Sequence, residues 1–278
     1  MRMLLALPAT LLLLCACTAE ISEDYLMRPV AGGTLGEAEL TKAAPVYSLT
    51  RHSISAPDGA RLHAVLLRQP GARATVLYFG GNGYVMSPFG AWTASVFAPL
   101  KVDLMLVDHR GYGLSEGRPT AEAMAADGLA VFDYLSGLKT APIVLHGQSL
   151  GSFTAGHVAA HRSAAGAVLE SSATTTEDWV KAGTPGAAKP FVKVKIAENL
   201  RGRGNLANMA KIEEPLLLLV GAKDDMTPPK LSQALHDASP LPPTRKTLAV
   251  VPGAGHNNVM TRPQAIAAYR AFLDRIGR

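Results

Sequence analysis

The chain alternates short apolar runs with stretches that repeat apolar residues at helical spacing. Residues 47–56 and 61–67 flank the turn signal Asp58-Gly59 and predict a β-hairpin. Further strands, each short enough to be buried on both faces, are predicted at 74–79, 102–107, 143–146, 167–169, 216–220 and 248–251. Helices are predicted at about 87–100, from the N-cap Thr120 to about 138, at 150–162, after Pro228 and at 262–276. This order predicts an α/β fold with a mostly parallel, twisted sheet and helices on both faces.

One stretch, residues 171–212, does not fit the alternation. It contains several glycines and prolines but no clear buried strand, and it is too long for a plain connection. We expect a small cap-like excursion here, over the strand ends where ligands bind in open α/β sheets. The predicted organisation is a main domain at 46–278 that carries this insertion, preceded by residues 17–45 as a tether or irregular arm.

The N-terminus has the pattern of a leader. Met-Arg-Met is followed by an almost wholly apolar stretch at 4–16, which is short for a transmembrane span. Leu14-Cys15-Ala16-Cys17 resembles the lipobox of bacterial lipoproteins. The resemblance implies a signal peptide at 1–16, acylation of Cys17, and an anchor on the periplasmic side of the outer membrane. An ordinary secretory signal, giving a secreted or periplasmic protein, is the alternative.

The composition limits the kinds of function and of site that the chain can have. The chain has 278 residues, of which 48% are hydrophobic and 18% charged, and this balance supports a full core. The net charge is +5, but the basic residues are scattered, so nucleic-acid binding is not expected. Both cysteines lie in the leader region, which excludes a disulfide, a cysteine nucleophile or a cysteine-based metal site from the folded domain. No pattern of ligands predicts a metal or another cofactor.

Ser149 is the predicted nucleophile. It lies in Gly147-Gln148-Ser149-Leu150-Gly151, between an apolar run and a helix-like segment. That setting predicts a tight strand–turn–helix elbow, in which flanking glycines leave the hydroxyl exposed. The motif also occurs around Ser115, but there it lies in a polar loop without the strand and helix.

A serine hydroxyl needs a base and an acid to become a nucleophile. His256 follows the last predicted strand on a glycine-rich loop, and His109, also at a strand end, is a distant competitor. Asp224 and Asp225 follow the strand at 216–220, where turn formation is the alternative role. Ser149, Asp224 and His256 each follow a separate strand of a parallel sheet, so we expect them to meet at one edge.

The developing negative charge of acyl transfer needs backbone N–H donors. The N–H of Leu150 is one predicted donor, at the start of the helix. The second is expected from the loop Gly80-Gly81-Asn82-Gly83, where glycines allow close approach and Asn82 supplies the N–H.

These motifs together resemble a known family. The chain is similar to the serine α/β-hydrolases, and especially to the BEM46-like and ABHD13-like group of single-domain members. The resemblance rests on residues 79–83, 108–117, 147–151, 221–228 and 253–257. It implies the α/β-hydrolase fold, with Ser149 as nucleophile, His256 as base, Asp224 rather than Asp225 as acid, and Asn82 and Leu150 as oxyanion donors. The group usually has His-Gly-Asn where this chain has Gly80-Gly81-Asn82, and this departure predicts a more flexible loop.

The resemblance implies a serine hydrolase that cleaves a carboxylic ester or thioester through an acyl-enzyme. Its expected substrate is a small-molecule or lipid-like acyl compound, and the sequence assigns no oligomeric state. A cell-envelope serine peptidase or amidase is an alternative, because the same residues cut amides. A non-catalytic binding protein on a hydrolase scaffold is an alternative from another class.

Overall fold

The computed structural model describes residues 17–184 and 192–276, and its centre is an eight-stranded sheet. The strand order is β10-β9-β7-β6-β4-β5-β3-β2, with β2 and β3 antiparallel to their neighbours and all other pairs parallel. The strands are β2 (Ser48–Ser55), β3 (Arg61–Arg68), β4 (Thr75–Phe79), β5 (Asp103–Val107), β6 (Ile143–Gln148), β7 (Gly166–Glu170), β9 (Leu216–Gly221) and β10 (Lys246–Val251). Two further strands, β1 (Cys17–Ile21) and β8 (Val192–Ile196), pair in parallel outside this sheet.

Helices cover both faces of the sheet. The described helices are α1 (Glu23–Leu26), α2 (Glu37–Ala43), α3 (Met86–Phe97), α4 (Ala121–Gly137), α5 (Leu150–Ala159), α6 (Thr176–Gly183), α7 (Leu206–Met209), α8 (Pro229–Ala238) and α9 (Pro263–Ile276). Short 3₁₀ turns lie at Ala98–Leu100, Glu198–Leu200 and Val259–Thr261. Thr120 caps α4 as expected, because its side chain accepts from the N–H of Ala123 at 3.1 Å.

Two separate cores follow from the alternation of side chains along the strands. On β4, Val76 and Tyr78 pack on one face with α2, α3 and α9, while Leu77 and Phe79 pack on the other with α4, α5, α7 and α8. All five residues of β4 are buried, as its continuous apolar run predicts. The predicted fold class, an α/β protein with a mostly parallel sheet between helices, is confirmed.

Residues 17–45 form an arm that packs on the domain rather than a free tether. Ile21, Met27, Leu35 and Leu40 are buried, and β1 pairs with β8 of the cap-like segment. These contacts are distant in sequence, which is why the weak local pattern of the arm does not predict them.

The cap-like segment at 171–212 contains α6, β8 and α7, with residues 185–191 outside the described part. The predicted signal peptide at 1–16 also lies outside the described residues. Among the helices that the structure describes, none combines the length and the apolar character that a membrane span requires.

Candidate active site

Ser149 lies at a strained turn between β6 and α5. Its φ is 50° and its ψ is −114°, a conformation that a non-glycine residue holds only when its surroundings impose it. A Cβ on Gly151 would overlap the backbone of Phe79, and one on Gly147 would overlap the backbone of Gly151 and Ser152. The two glycines are therefore required because the turn packs directly against neighbouring backbone.

The structure brings Ser149, His256 and Asp224 into one hydrogen-bonded chain. The Oγ of Ser149 lies 2.9 Å from Nε2 of His256. The Nδ1 of the same ring lies 3.0 and 2.9 Å from Oδ1 and Oδ2 of Asp224. Since a carboxylate only accepts, Nδ1 carries a proton, and in the neutral ring Nε2 is then free to accept the serine proton.

Asp224 is held as a carboxylate by its surroundings. Burial by itself raises the pKa of this group, but the hydrogen bonds from His256 and from the backbone of Thr227 outweigh it and leave the pKa below its ordinary value. The N–H of Thr227 donates to Oδ1 at 2.8 Å, and its hydroxyl lies 2.9 Å from Oδ2. Sequence reasoning missed Thr227, although its place three residues after the acid is a recognisable turn pattern.

The predicted oxyanion donors lie on two sides of the Ser149 turn. Leu150 is the first residue of α5, and Asn82 lies in the loop after β4. This loop touches the turn, because a Cβ on Gly81 would lie 3.4 Å from the Cβ of Ser149. Within the part of the chain that the structure describes, neither backbone N–H donates a hydrogen bond, so both remain available to a ligand.

The N-terminal arm holds the side chain of Asn82. Its Oδ1 accepts from the N–H of Arg28 at 3.0 Å and from the hydroxyl of Tyr112 at 2.9 Å. Its Nδ2 donates to the carbonyl of Leu26 at 2.6 Å. Sequence reasoning missed this contact, because it joins residues more than fifty positions apart.

The loop beside Asn82 is also contacted in two further places. The ring of Tyr84 fills the space where a side chain at Gly80 would lie. The carbonyl of Gly80 accepts from Nε2 of His109 at 2.8 Å. His109 is therefore a support of the loop, and it does not reach Ser149 as a base.

Ser115 and Asp225, the alternatives to Ser149 and Asp224, have other surroundings. The hydroxyl of Ser115 donates to the carbonyl of Asp108 at 2.7 Å and accepts from the N–H of His63 at 2.8 Å, so it is a structural part of its loop. Asp225 is exposed, in contrast to the buried Asp224 that contacts His256. The structure thus distinguishes the two adjacent aspartates, because Asp224 contacts His256 and Asp225 does not.

Two cavities flank the Ser149 turn. Cavity 1 has a volume of about 490 Å³ and is lined by the residues Tyr78, Gly81, Asn82, Gly83, Tyr84, Phe89, Trp92, Thr93, Val96, Phe97, Gln148, Glu170, Asn257 and Met260. Cavity 2, of about 240 Å³, is lined by Leu150 and Phe153, by Leu26 and Met27 of the arm, and by residues of the cap-like segment. Among residues 17–184 and 192–276, no group of three or more His, Cys, Asp or Glu is placed to hold a metal ion.

Comparison with known proteins gives the same fold. The family described as serine aminopeptidase, S33 (Hydrolase_4) matches residues 70–205, which include Ser149 and Asn82. The esterase Pf2001 of Pyrococcus furiosus has a TM-score of 0.69 at 19% identity, over 90% of this chain and 97% of that one.

Relatives that match by sequence include two proteins from different kingdoms. The protein Rv2307c of Mycobacterium tuberculosis, described as uncharacterized, is 32% identical over 211 residues, which cover 75% of this chain and 70% of the relative. The α/β hydrolase domain-containing protein WAV2 of Arabidopsis thaliana is 29% identical over 195 residues, which cover 63% of this chain and 62% of that protein. The chain therefore belongs to the same family as Rv2307c and has the α/β-hydrolase fold, and the match to the Hydrolase_4 family supports a hydrolase activity.

Proposed function

We propose that this protein is a serine hydrolase that cleaves a carboxylic ester or thioester through an acyl-enzyme intermediate. The observation that carries the proposal is the hydrogen-bonded chain from Ser149 through His256 to Asp224, at the strained turn after β6. Such a chain makes the serine nucleophilic, because the imidazole accepts its proton and the carboxylate stabilises the resulting charge.

In the first step, Nε2 of His256 takes the hydroxyl proton of Ser149 as its oxygen bonds to the carbonyl carbon. The carbonyl oxygen becomes an oxyanion, which the N–H groups of Asn82 and Leu150 stabilise. When the tetrahedral intermediate collapses, the bond to the leaving oxygen or sulfur breaks, and His256 returns its proton to that atom. Asp224 stays ionised throughout and keeps the ring oriented.

In the second step, water repeats the attack on the acyl-enzyme. His256 takes one proton of the water as the hydroxyl oxygen bonds to the acyl carbon. Collapse then breaks the bond to Ser149 Oγ, the proton returns to that oxygen, and a carboxylic acid leaves. No co-reactant other than water is needed.

The substrate class follows from the cavities. Cavity 1 is lined largely by aromatic and aliphatic side chains, which favours an apolar, lipid-like or aromatic part of a small ester. The name of the esterase Pf2001, which shares the fold, agrees with this class. A cell-envelope peptidase or amidase is the second candidate, which the description of the matching family as serine aminopeptidase supports.

The test is hydrolysis of p-nitrophenyl esters of increasing acyl length. We expect turnover by the wild type and a loss of at least about 10³-fold in kcat for Ser149→Ala, with an unchanged fold by circular dichroism. Ser115→Ala is the matched control, since its motif is identical in pattern, and it should retain its catalytic activity whenever it folds. Undiminished turnover by Ser149→Ala refutes the assignment.

We also propose that the protein is exported and anchored. The leader at 1–16 and the lipobox-like sequence ending at Cys17 support cleavage before Cys17 and its acylation, with the domain on the periplasmic side of the outer membrane. Cys17 is the first residue of β1, so such an anchor leads directly into the arm that contacts Asn82.

A further inference from the structure

Glu170 is the only formally charged residue that lines cavity 1 within the described part of the chain. It is the last residue of β7 and pairs with Gln148 of β6, next to the Ser149 turn. Its side chain is 5% exposed. A buried carboxylate is costly unless hydrogen bonds satisfy it, so its partners decide what it does.

One oxygen of Glu170 is accounted for. Its Oε2 accepts from Nε2 of His146 at 3.0 Å, and Nδ1 of that ring lies 3.3 Å from the hydroxyl of Tyr269. A single ring proton on Nε2, with Nδ1 accepting from the tyrosine, satisfies all of these atoms.

The other carboxylate oxygen of Glu170, Oε1, has different surroundings. Oε1 makes no hydrogen bond within residues 17–184 and 192–276, and it is not among the polar atoms sealed from solvent. Since the residue lines cavity 1, this oxygen is accessible from the cavity. It therefore offers an acceptor, with a negative charge, to a group that enters there.

The remaining walls of cavity 1 favour a positive charge as well. Aromatic rings of Tyr78, Tyr84, Phe89, Trp92 and Phe97 line it, and no lysine or arginine of the described residues does. Aromatic faces attract organic cations, and the attraction is strongest where the ring is desolvated. Burial, together with the neighbouring Tyr84 and Glu170, raises the pKa of Tyr78 well above its ordinary value, so its ring stays neutral.

We propose that cavity 1 binds an ammonium group of the substrate, with Glu170 as its counter-charge and the aromatic rings as its walls. The assignment of this group to a substrate rests on the proposed function of Ser149, because Gly81, Asn82 and Gln148 line the cavity and flank that serine. The substrate class is thus an ester that carries an ammonium group on the part that enters cavity 1.

Choline and 3,3-dimethylbutan-1-ol test this inference, because they share shape and differ in charge. Calorimetric titration of the Ser149→Ala protein should show about ten-fold tighter binding of choline. Glu170→Gln should reduce the difference to the part that the aromatic rings supply, while Glu213→Gln, which changes an exposed glutamate elsewhere, should keep it in full. Equal affinity of the two probes for the protein with Glu170 intact, or an undiminished preference in a folded Glu170→Gln protein, overturns the proposal.

A second measurement needs no variant. The wild type should hydrolyse acetylcholine with a higher kcat/KM than 3,3-dimethylbutyl acetate, again by about ten-fold. A ratio of one or below contradicts the ammonium site. The two proposals fail separately, because a protein that binds choline selectively but cleaves no ester refutes only the role of Ser149.

Discussion

From the contact between the arm and Asn82, we predict that the side chain of Asn82 affects kcat although it takes no part in the reaction. Asn82→Ala removes three hydrogen bonds, to Arg28, Tyr112 and Leu26, while leaving its own backbone N–H in place. Each bond contributes about 0.5–1.5 kcal/mol, and because Asn82 is exposed, the low end applies. The side chain therefore holds the loop with about 1.5 kcal/mol in total.

That energy sets an upper limit on the kinetic effect. If all of it positions the N–H against the oxyanion, Asn82→Ala lowers kcat by about 10-fold. KM should change little, since the N–H acts mainly on charge that develops in the transition state. Tyr112→Phe removes one of the three bonds and should have a smaller effect in the same direction.

Steady-state kinetics with p-nitrophenyl butyrate measures both parameters. Tyr47→Phe is the matched control for Tyr112→Phe, because it removes a buried tyrosine hydroxyl whose hydrogen-bond partners are the carbonyl of Val102, at 2.9 Å, and the side chain of Gln69. It should cost stability without changing kcat. An Asn82→Ala protein with wild-type kcat, or one with only KM changed, refutes the positioning role.

Three further predictions concern the turn, a buried acid and the leader. Gly151→Ala should abolish activity and destabilise the fold by about 1–3 kcal/mol, measured by urea unfolding, because its Cβ overlaps the backbone of Phe79. Burial raises the pKa of Asp108 from 3.8 to about 6, so the folded state binds the carboxyl proton more tightly than the unfolded state does. The contribution of Asp108 to the free energy of unfolding should therefore fall by ~3 kcal/mol as the pH rises from 4 to 7. The Asp108→Asn protein should lack this dependence on pH. Cys17→Ala should move the protein from the membrane fraction to the soluble fraction, and retention in the membrane contradicts the anchor.

The fold was predictable from sequence where local pattern and burial agree. Largely apolar runs predict β4, β5, β6 and β9, because strands covered on both faces favour apolar side chains on both sides. The pairing of β1 with β8 was not predictable, because it depends on contacts between the arm and the cap-like segment. The resemblance to the BEM46-like group remains an expectation.

The residues of the site also divide into those that the sequence predicts and those that it does not. The places of Ser149, Asp224 and His256 at strand ends follow from chain order and topology, because parallel strands end at one edge. The partners that hold them, such as Thr227 and the arm residues around Asn82, depend on side-chain contacts across the fold. Local pattern carries no signal for the second kind of residue.

Labelling with a fluorophosphonate tests the central claim most directly, because the reagent forms a covalent bond only with an activated serine. We predict stoichiometric labelling of the wild type, with the added mass mapped to the peptide that contains Ser149, and no labelling of Ser149→Ala or His256→Ala. A wild-type protein that stays unlabelled, or a label on another serine, contradicts the account.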